Sequence, residues 1–352
     1  MRYNSIGFYA IFLCCSIFTN TGVADRGAFD LERWDNLMSN VRTQATNQNI
    51  SQPVIDETLK NVVFVPNIVK SDKNQSEFTL TLEQYLNRTV SNERIANGRK
   101  KLSEYPTLLG RVETKYQVPR NVILAFWGME SNYGKTKSTH QLKSSFLTLM
   151  YEGRREEFFS KQLLALMKIA DKNKLSINSI YGSWAGAMGH FQFIPTTLAQ
   201  YGVDGNNDGR IDIINSIGDA MFSAGNYLHK LGWNPNEKIV RRVIVPADFD
   251  RLSLNGDTKK TLKEWAELGV TNPDGTPIPE SNIIAGLITD TKELAKRDLY
   301  QTNADETNPD ADMSPAPVIH AYLTYPNFYR IKKWNNSSWY AIAIAELADK
   351  LK

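Results

Sequence analysis

Apolar residues recur at helical spacing through the larger N-terminal part of the chain. The pattern is mainly helical from Phe29 to about Gly232, and the stretch from Leu142 to Ala170 is periodic and apolar with an interruption near Gly153. A shorter helix is predicted from Asp219 to Leu231, where the following glycine is a residue that commonly ends helices. We therefore expect residues 25–234 to form a helical domain.

The pattern changes after this region. Residues 238–245 are rich in β-branched side chains, and turn signals follow at Asn255-Gly256 and Asp274-Gly275. These features predict a small, partly β subdomain over residues 235–317. Within it, residues 290–314 are polar and acidic with few large apolar side chains, which is typical of an exposed, mobile insertion.

The C-terminal residues resume a regular pattern. Residues 318–323 are strand-like, and residues 337–351 are predicted to form a final helix. We expect residues 318–352 to return to the helical domain. The predicted fold class is α+β, mainly α.

The first residues have the composition of a targeting segment. Arg2 precedes a largely apolar run over residues 6–18, and small residues follow at Gly22-Val23-Ala24. The run is short for a membrane span. Residues 1–24 are therefore predicted to be a signal peptide for export, with an uncleaved N-terminal anchor as the alternative.

Cysteine usage and charge exclude several classes of function. Cys14 and Cys15 both lie in the predicted signal peptide, so the mature chain would have no disulfide, thiol catalyst or cysteine metal site. Lipid attachment at either cysteine is less favoured, because Phe12 and Leu13 are bulky. The net charge of +3, less the one charge of Arg2, leaves +2, which does not indicate a nucleic-acid partner.

Glu130 is the strongest candidate for a catalytic group. Pro119 is suited to the start of a helix, and Asn132 and Gly134 are suited to its end. Glu130 would then lie in the last turn, near aromatic residues and the negative end of the helix dipole. Both effects favour the protonated carboxyl, which a general acid needs. Spacing alone also fits an exposed glutamate without a role.

Two sequence motifs resemble a known family. Residues 127–134 (WGMESNYG) resemble the catalytic-helix motif of lytic murein transglycosylases, and residues 182–189 (GSWAGAMG) with 192–195 (QFIP) resemble the second signature of the membrane-bound B type, glycoside hydrolase family 103. The order of the motifs also agrees, with an Arg-Arg pair at 154–155 between them and Asn226-Tyr227 after them. The resemblance extends from about Phe29 to the C-terminus.

The resemblance implies a lysozyme-like helical core with a glycan cleft. It implies that Glu130 cuts the β-1,4 bond between N-acetylmuramic acid and N-acetylglucosamine in peptidoglycan without water, leaving 1,6-anhydromuramic ends. It further implies a periplasmic monomer whose partner is the glycan strand, with cell-wall synthesis proteins as further candidates. A hydrolytic lysozyme-like or chitinase-like enzyme remains the nearest alternative, because ordinary glycosidases use two carboxylates and a second acid could come from elsewhere. A non-catalytic cell-wall-binding protein is the other, although Glu130 lies in an intact motif.

Further residues match positions that line the family's cleft. Neutral polar side chains suit the N-acetyl group, and aromatic rings can stack on sugars. The Arg pair could meet the anionic stem peptide or simply face solvent. Phe158 stands where the family often has tyrosine, so a hydroxyl contact is missing there. The substrate-binding candidates are Ser183, Gln192, Tyr227, Asn335, Tyr85, Arg154 and Arg155.

A segment rich in Asp and Asn follows the second motif. Residues 204–212 (DGNNDGRID) match the first nine positions of an EF-hand loop, with Gly209 at the sharp turn. Asn215 stands at the twelfth position instead of glutamate, and Asp219 is a candidate replacement, as an acidic residue is in the family. A turn closed by Asx side chains is the alternative. The candidate ligands of a structural Ca²⁺ are Asp204, Asn206, Asp208, Arg210 and Asp219, and no cofactor is expected for the chemistry.

Overall fold

The computed structural model describes residues 29–73, 80–136, 138–290 and 318–352. The predicted signal peptide, with Cys14 and Cys15, and residues 291–314 of the predicted insertion lie outside these ranges. Within the described residues, no helix is both long enough and apolar enough to cross a membrane. The chain divides into two compact units. One comprises the described residues of 1–77 and 96–230 with Leu351, and the other those of 78–95 and 231–350 with Lys352.

The helices account for most of the described chain, which confirms the mainly α prediction. In chain order they are α1 Leu31–Asn47, α2 Gln52–Leu59, α3 Pro66–Lys73, α4 Leu82–Thr89, α5 Asn92–Glu104, α6 Pro106–Tyr116, α7 Arg120–Ser131, α8 Leu142–Glu152, α9 Glu156–Asn173, α10 Pro195–Tyr201, α11 Ile217–Lys230, α12 Leu262–Glu267, α13 Pro326–Trp334 and α14 Ser338–Lys350.

The core of the first unit lies among helices α7, α8 and α9. Phe126, Phe146 and Phe159, one from each helix, are at most 1% exposed, and burial of such side chains is the main stabilising contribution to a fold of this kind. Helix α8 ends at Gly153, whose φ of 89° is accessible to glycine without strain. A two-stranded antiparallel ribbon, β1 His140–Gln141 and β2 Tyr181–Gly182, leads into the segment that carries the second motif.

The second unit is built on a four-stranded antiparallel sheet. Its strands are β3 Val240–Pro246, β4 Asn255–Thr261, β5 Ile284–Ile288 and β6 Val318–Thr324, in the order β3-β6-β5-β4. The strand patterns recognised at residues 238–245 and 318–323 are thus confirmed. Trp265 of α12 is fully buried against the sheet, and its indole N–H donates to the carbonyl of Ala285 at 2.9 Å.

The division into units differs from the boundaries expected from sequence. Helix α4 packs with α14 in the second unit, where Tyr85 lies against Trp339 with ring centroids 5.8 Å apart. Strand β6 pairs with β3 and β5, so residues 318–350 belong to the same unit. Asp290, expected in the exposed insertion, is only 9% exposed because its carboxylate accepts the backbone N–H of Leu82 at 2.6 Å. That expectation was wrong at Asp290.

Candidate active site

Glu130 lies in the last turn of α7, as predicted. The helix begins at Arg120, with Pro119 as its N-cap, one residue later than the sequence suggested. It ends at Ser131, because Asn132 is left-handed at φ 49° and Gly134 follows at φ 80°. The residues from Val122 to Gly128 are all buried, whereas Glu130 is half-buried. A rigid, buried helix therefore presents one partly accessible carboxyl group.

The second motif forms a tight loop over residues 182–193, which we call the glycine-rich loop. Ser183 is 1% exposed, its N–H donates to the carbonyl of Ala187 at 2.7 Å, and its Oγ accepts the N–H of Ala187 at 3.0 Å. A Cβ on Gly186 would lie 2.2 Å from the ring of Phe146, so only glycine fits there. The observed contacts of Ser183 thus hold the loop together, and its contact with substrate stays a prediction.

Gln192 has the clearest sign of a missing ligand in this loop. Its amide nitrogen donates to the carbonyl of Gly189 at 2.8 Å. Its Oε1 atom is buried, and no group among the described residues donates to it. A buried acceptor without a donor is costly, so this atom needs a donor that the described residues do not supply. The half-buried side chain is therefore available to accept an N–H or O–H from a ligand.

Contacts from His190 join the glycine-rich loop to helix α7. The indole N–H of Trp127 donates to His190 Nδ1 at 3.1 Å, and the hydroxyl of Ser131 donates to the His190 carbonyl at 2.6 Å. Trp127 and Ser131 flank Glu130 on α7, so these bonds fix Glu130 relative to the loop that carries Gln192. The sequence reasoning missed His190, although its place between two motif residues, Gly189 and Gln192, was an available signal.

Tyr227 of α11 belongs to an aromatic group beside the same loop. Its ring stacks on Tyr201 with centroids 4.4 Å apart and lies 6.0 Å from the ring of Phe193. Burial, and then the neighbouring Tyr201, raises the pKa of Tyr227 to about 12. The phenol therefore keeps its proton at neutral pH and can donate it in a hydrogen bond. Tyr201 was also missed, because stacking between helices leaves no local sequence signal.

Tyr85 and Asn335 belong to the second unit. Tyr85 is 6% exposed and packs on Trp339, as described above. Asn335 is also 6% exposed, and its Oδ1 accepts the N–H of Ser337 where α13 gives way to α14. Both residues have structural contacts, and their contact with substrate stays a prediction.

Arg154 and Arg155 have a specific partner within the protein. Both guanidinium groups bind the carboxylate of Asp72, which is 2% exposed, with Arg154 Nε at 3.1 Å. Arg155 also lies over the ring of Phe159, 4.9 Å from its centroid. The pair therefore fastens α3 to the start of α9. Neither role considered from sequence, peptide binding or a solvated face, included this contact.

The Asp- and Asn-rich segment folds into consecutive turns. Asp204 accepts the N–H groups of Asp208 and Gly209, and Asp208 Oδ1 accepts the N–H of Arg210 at 2.9 Å. Gly209 has a φ of 86°, as the sharp turn requires. The side chains expected as ligands thus order the loop backbone themselves.

Asp219 closes this loop from the first turn of α11. It is fully buried, and its carboxylate accepts the N–H groups of Gly205, Asn206 and Asp212 at 2.8–3.3 Å. Among the described residues no three His, Cys, Asp or Glu side chains lie close enough to form a metal group by themselves. The expected ligands are nevertheless all oxygen donors, two of them an amide and a backbone carbonyl, and this donor chemistry fits calcium.

Comparisons with known proteins agree with the motifs. The model of the transglycosylase SLT domain family matches residues 33–349. SltB3 from Pseudomonas aeruginosa, solved in complex with NAG-NAM-pentapeptide, is 36% identical with a TM-score of 0.79, covering 90% of this chain and 79% of that one. Membrane-bound lytic murein transglycosylase B of Escherichia coli (strain K12) is 24% identical over 94% of this chain and 89% of its own.

A further solved structure shares the fold. Lytic transglycosylase Slt35 of E. coli, in complex with calcium, has a TM-score of 0.72 at 22% identity, over 91% of this chain and 92% of that one. The lysozyme-like fold and the family resemblance predicted from the motifs are confirmed. The chain belongs to the transglycosylase SLT domain family and is a lytic transglycosylase of peptidoglycan.

Proposed function

We propose that Glu130 is the sole acid and base of the reaction. The observation that carries this assignment is the link through His190, which fixes the half-buried Glu130 beside a loop with an unsatisfied acceptor at Gln192 Oε1. SltB3, which is 36% identical, was solved in complex with NAG-NAM-pentapeptide. The substrate class proposed for this cleft is accordingly the N-acetylmuramic acid–N-acetylglucosamine glycan strand.

The reaction needs one carboxyl group used twice. Protonated Glu130 gives its proton to the glycosidic oxygen as the bond from that oxygen to C1 of N-acetylmuramic acid breaks. The carboxylate then takes the proton of the C6 hydroxyl while O6 bonds to C1. Glu130 ends protonated, water is not consumed, and the product is a 1,6-anhydro ring. The C6 hydroxyl competes well with water because it is tethered near C1.

Neutral groups orient the substrate in this proposal. Gln192 Oε1 accepts the N–H of an N-acetyl group or a sugar hydroxyl, which supplies its missing donor. Tyr227 keeps its phenolic proton and donates it to an acceptor on the sugar. Neither group carries a charge that would compete with Glu130 for the proton.

We propose that the loop over residues 204–212 holds a structural Ca²⁺. The ligands would be the side chains of Asp204, Asn206 and Asp208, the carbonyl of Arg210, and Asp219. Slt35, which has the same fold, was solved in complex with calcium. The ion would stiffen the connection from the glycine-rich loop to α11 and would take no part in the chemistry.

We propose that the protein works in the periplasm. Its substrate lies in the cell envelope, and the composition of residues 1–24 is that of a signal peptide. A monomer suffices for the proposed reaction, because Glu130, Gln192 and Tyr227 all come from one chain.

Incubation of the purified protein with sacculi tests the proposed function. We expect soluble muropeptides whose muramic end is lighter than a reducing end by one water, as measured by mass spectrometry. Reducing ends alone would show hydrolysis and would favour the two-carboxylate alternative. Binding of sacculi without release of any muropeptide would favour the cell-wall-binding alternative.

A further inference from the structure

We propose that His190 is a positioning residue that holds Glu130 in its active place only while its imidazole is neutral. The inference rests on the proposed role of Glu130, and it adds a pH dependence that the reaction itself does not require.

His190 contacts α7 at points on both sides of Glu130. Its Nδ1 accepts the indole N–H of Trp127 at 3.1 Å, three residues before Glu130, and its carbonyl accepts the hydroxyl of Ser131, the next residue. Ser131 Oγ also accepts the N–H of Gly134 at 2.9 Å. A Cβ on Gly134 would lie 2.7 Å from the imidazole, so glycine is what lets the ring reach the end of the helix.

The hydrogen bond from Trp127 fixes the protonation state of the ring. A neutral imidazole has one nitrogen that accepts, and here that nitrogen is Nδ1, so the proton resides on Nε2. An imidazolium carries hydrogen on both nitrogens and cannot accept the indole N–H. Protonation would thus place two N–H groups against each other between the loop and the catalytic helix.

Charged groups of both signs lie around His190, and the cation among them opposes its protonation. Lys101 of α5 lies over the Trp127 ring, 5.5 Å from its centroid, and forms an ion pair with Glu104. The backbone N–H of His190 donates to the carbonyl of Ile213. The preceding residue, Asp212, has a carboxylate that accepts the N–H groups of Ile214 and Asn215. Burial, and then Lys101, lowers the pKa of His190 below 6.5.

The expected pH profile of activity has two limbs, and a different residue causes each of them. A general acid must be protonated, so Glu130 causes activity to fall on the alkaline side. The fall on the acid side would come from His190, as protonation breaks its bond to Trp127. This acid limb would appear in kcat more than in KM, because the bond positions Glu130 and does not hold the substrate.

Two substitutions of His190 distinguish the loss of the hydrogen-bond acceptor from the loss of the titrating imidazole. Asparagine can place an oxygen near the position of Nδ1 and does not titrate, whereas leucine offers no acceptor. We expect His190→Asn to keep most of the wild-type rate at neutral pH and to lose the acid limb, which lies on the acid side of an ordinary histidine because burial and Lys101 lower the pKa of His190. We expect His190→Leu to lose on the order of tenfold in kcat at neutral pH and to show no acid limb, because leucine offers no acceptor at any pH. His320→Asn, on the exposed side of β6, is the matched control and should keep the wild-type profile.

The test includes a readout that does not need activity. In ¹⁵N-labelled protein, the indole N–H resonance of Trp127, identified by its loss in Trp127→Phe, should shift with the pKa of a histidine in the wild type and not in His190→Asn. An acid limb unchanged in His190→Asn, or an indole resonance insensitive to pH, would overturn the proposal. If the indole resonance titrates as expected and no peptidoglycan is cut at any pH, the proposed function fails while the contact between His190 and Trp127 stands.

Discussion

Glu130 is held by a helix that is buried on nearly every side. Trp127 is 2% exposed and contacts the rings of Tyr105, Tyr133 and Phe191. These ring contacts, together with the hydrogen bonds to His190, hold the backbone of α7 from which the Glu130 side chain extends. A catalyst with one carboxyl group needs this precision, because the same oxygen atoms must meet the leaving group and then the C6 hydroxyl.

The substitution Glu130→Gln tests the proposed catalytic role of this residue. The amide has nearly the same shape and cannot deliver a proton, so we expect at least a ~100-fold loss of sacculus cleavage. The melting temperature and sacculus binding should not change. Glu157→Gln, at an exposed site paired with Lys161 on α9, is the matched control and should keep full activity. Turnover near the wild-type rate in a folded Glu130→Gln protein would remove Glu130 as the catalyst.

Among the elements, α3 and α9 are joined by the Asp72 carboxylate and its two arginines. The carboxylate is buried, whereas Arg154 keeps 46% of its side chain exposed, so solvent weakens part of the interaction. Removal of one partner of a buried ion pair leaves an uncompensated charge. The ion pairs of Asp72 with Arg154 and Arg155 are therefore expected to contribute to folding stability.

We expect Asp72→Ala to lower the free energy of unfolding by on the order of 2 kcal/mol, below the full value for a wholly buried pair because of that exposure. Arg42→Ala, which breaks the exposed pair of Arg42 with Asp56, should lower the free energy of unfolding far less than Asp72→Ala does, because solvent screens an exposed pair. Urea denaturation measures both. Arg154→Ala distinguishes this structural role from binding of the stem peptide. If that substitution weakened the binding of peptide-bearing glycan without changing stability, binding of the stem peptide would be supported over the structural ion pair with Asp72.

The loop from Asp204 to Asp212 supplies a second prediction about an element. If it binds calcium, the ion should raise the melting temperature of metal-stripped protein, because a ligand selective for the folded state stabilises it. The shift should vanish in Asp208→Ala and persist in Asp274→Ala, which alters a similar exposed Asx turn in the second unit. A metal-stripped wild type that does not respond to calcium would favour the plain turn.

Over the whole molecule, the features predicted from sequence are those with local signals. The ends of α7 and α8 follow from Asn132 and Gly153, and the strand at residues 318–324 follows from the strand-like composition of its own residues. The location of Glu130 in a last turn is equally local, so it was predicted correctly.

Features that depend on residues distant in the chain were not predicted. Helix α4 joins the second unit through Asp290, more than two hundred residues later. Lys143 is 1% exposed because its ammonium donates to the carbonyls of Glu57 and Lys60, although lysine is usually a surface residue. The contact of His190 with Trp127 is of the same kind, since neither residue signals its partner.

The central claim concerns the fate of the C1 atom of N-acetylmuramic acid. Digestion of sacculi in water enriched in heavy oxygen, followed by mass spectrometry of the new muramic ends, measures that fate directly. If Glu130 closes O6 onto C1, the new ends carry no label and are lighter than a reducing end by one water. Incorporation of heavy oxygen at the newly formed muramic end during cleavage would show that water attacked C1, and it would contradict the account.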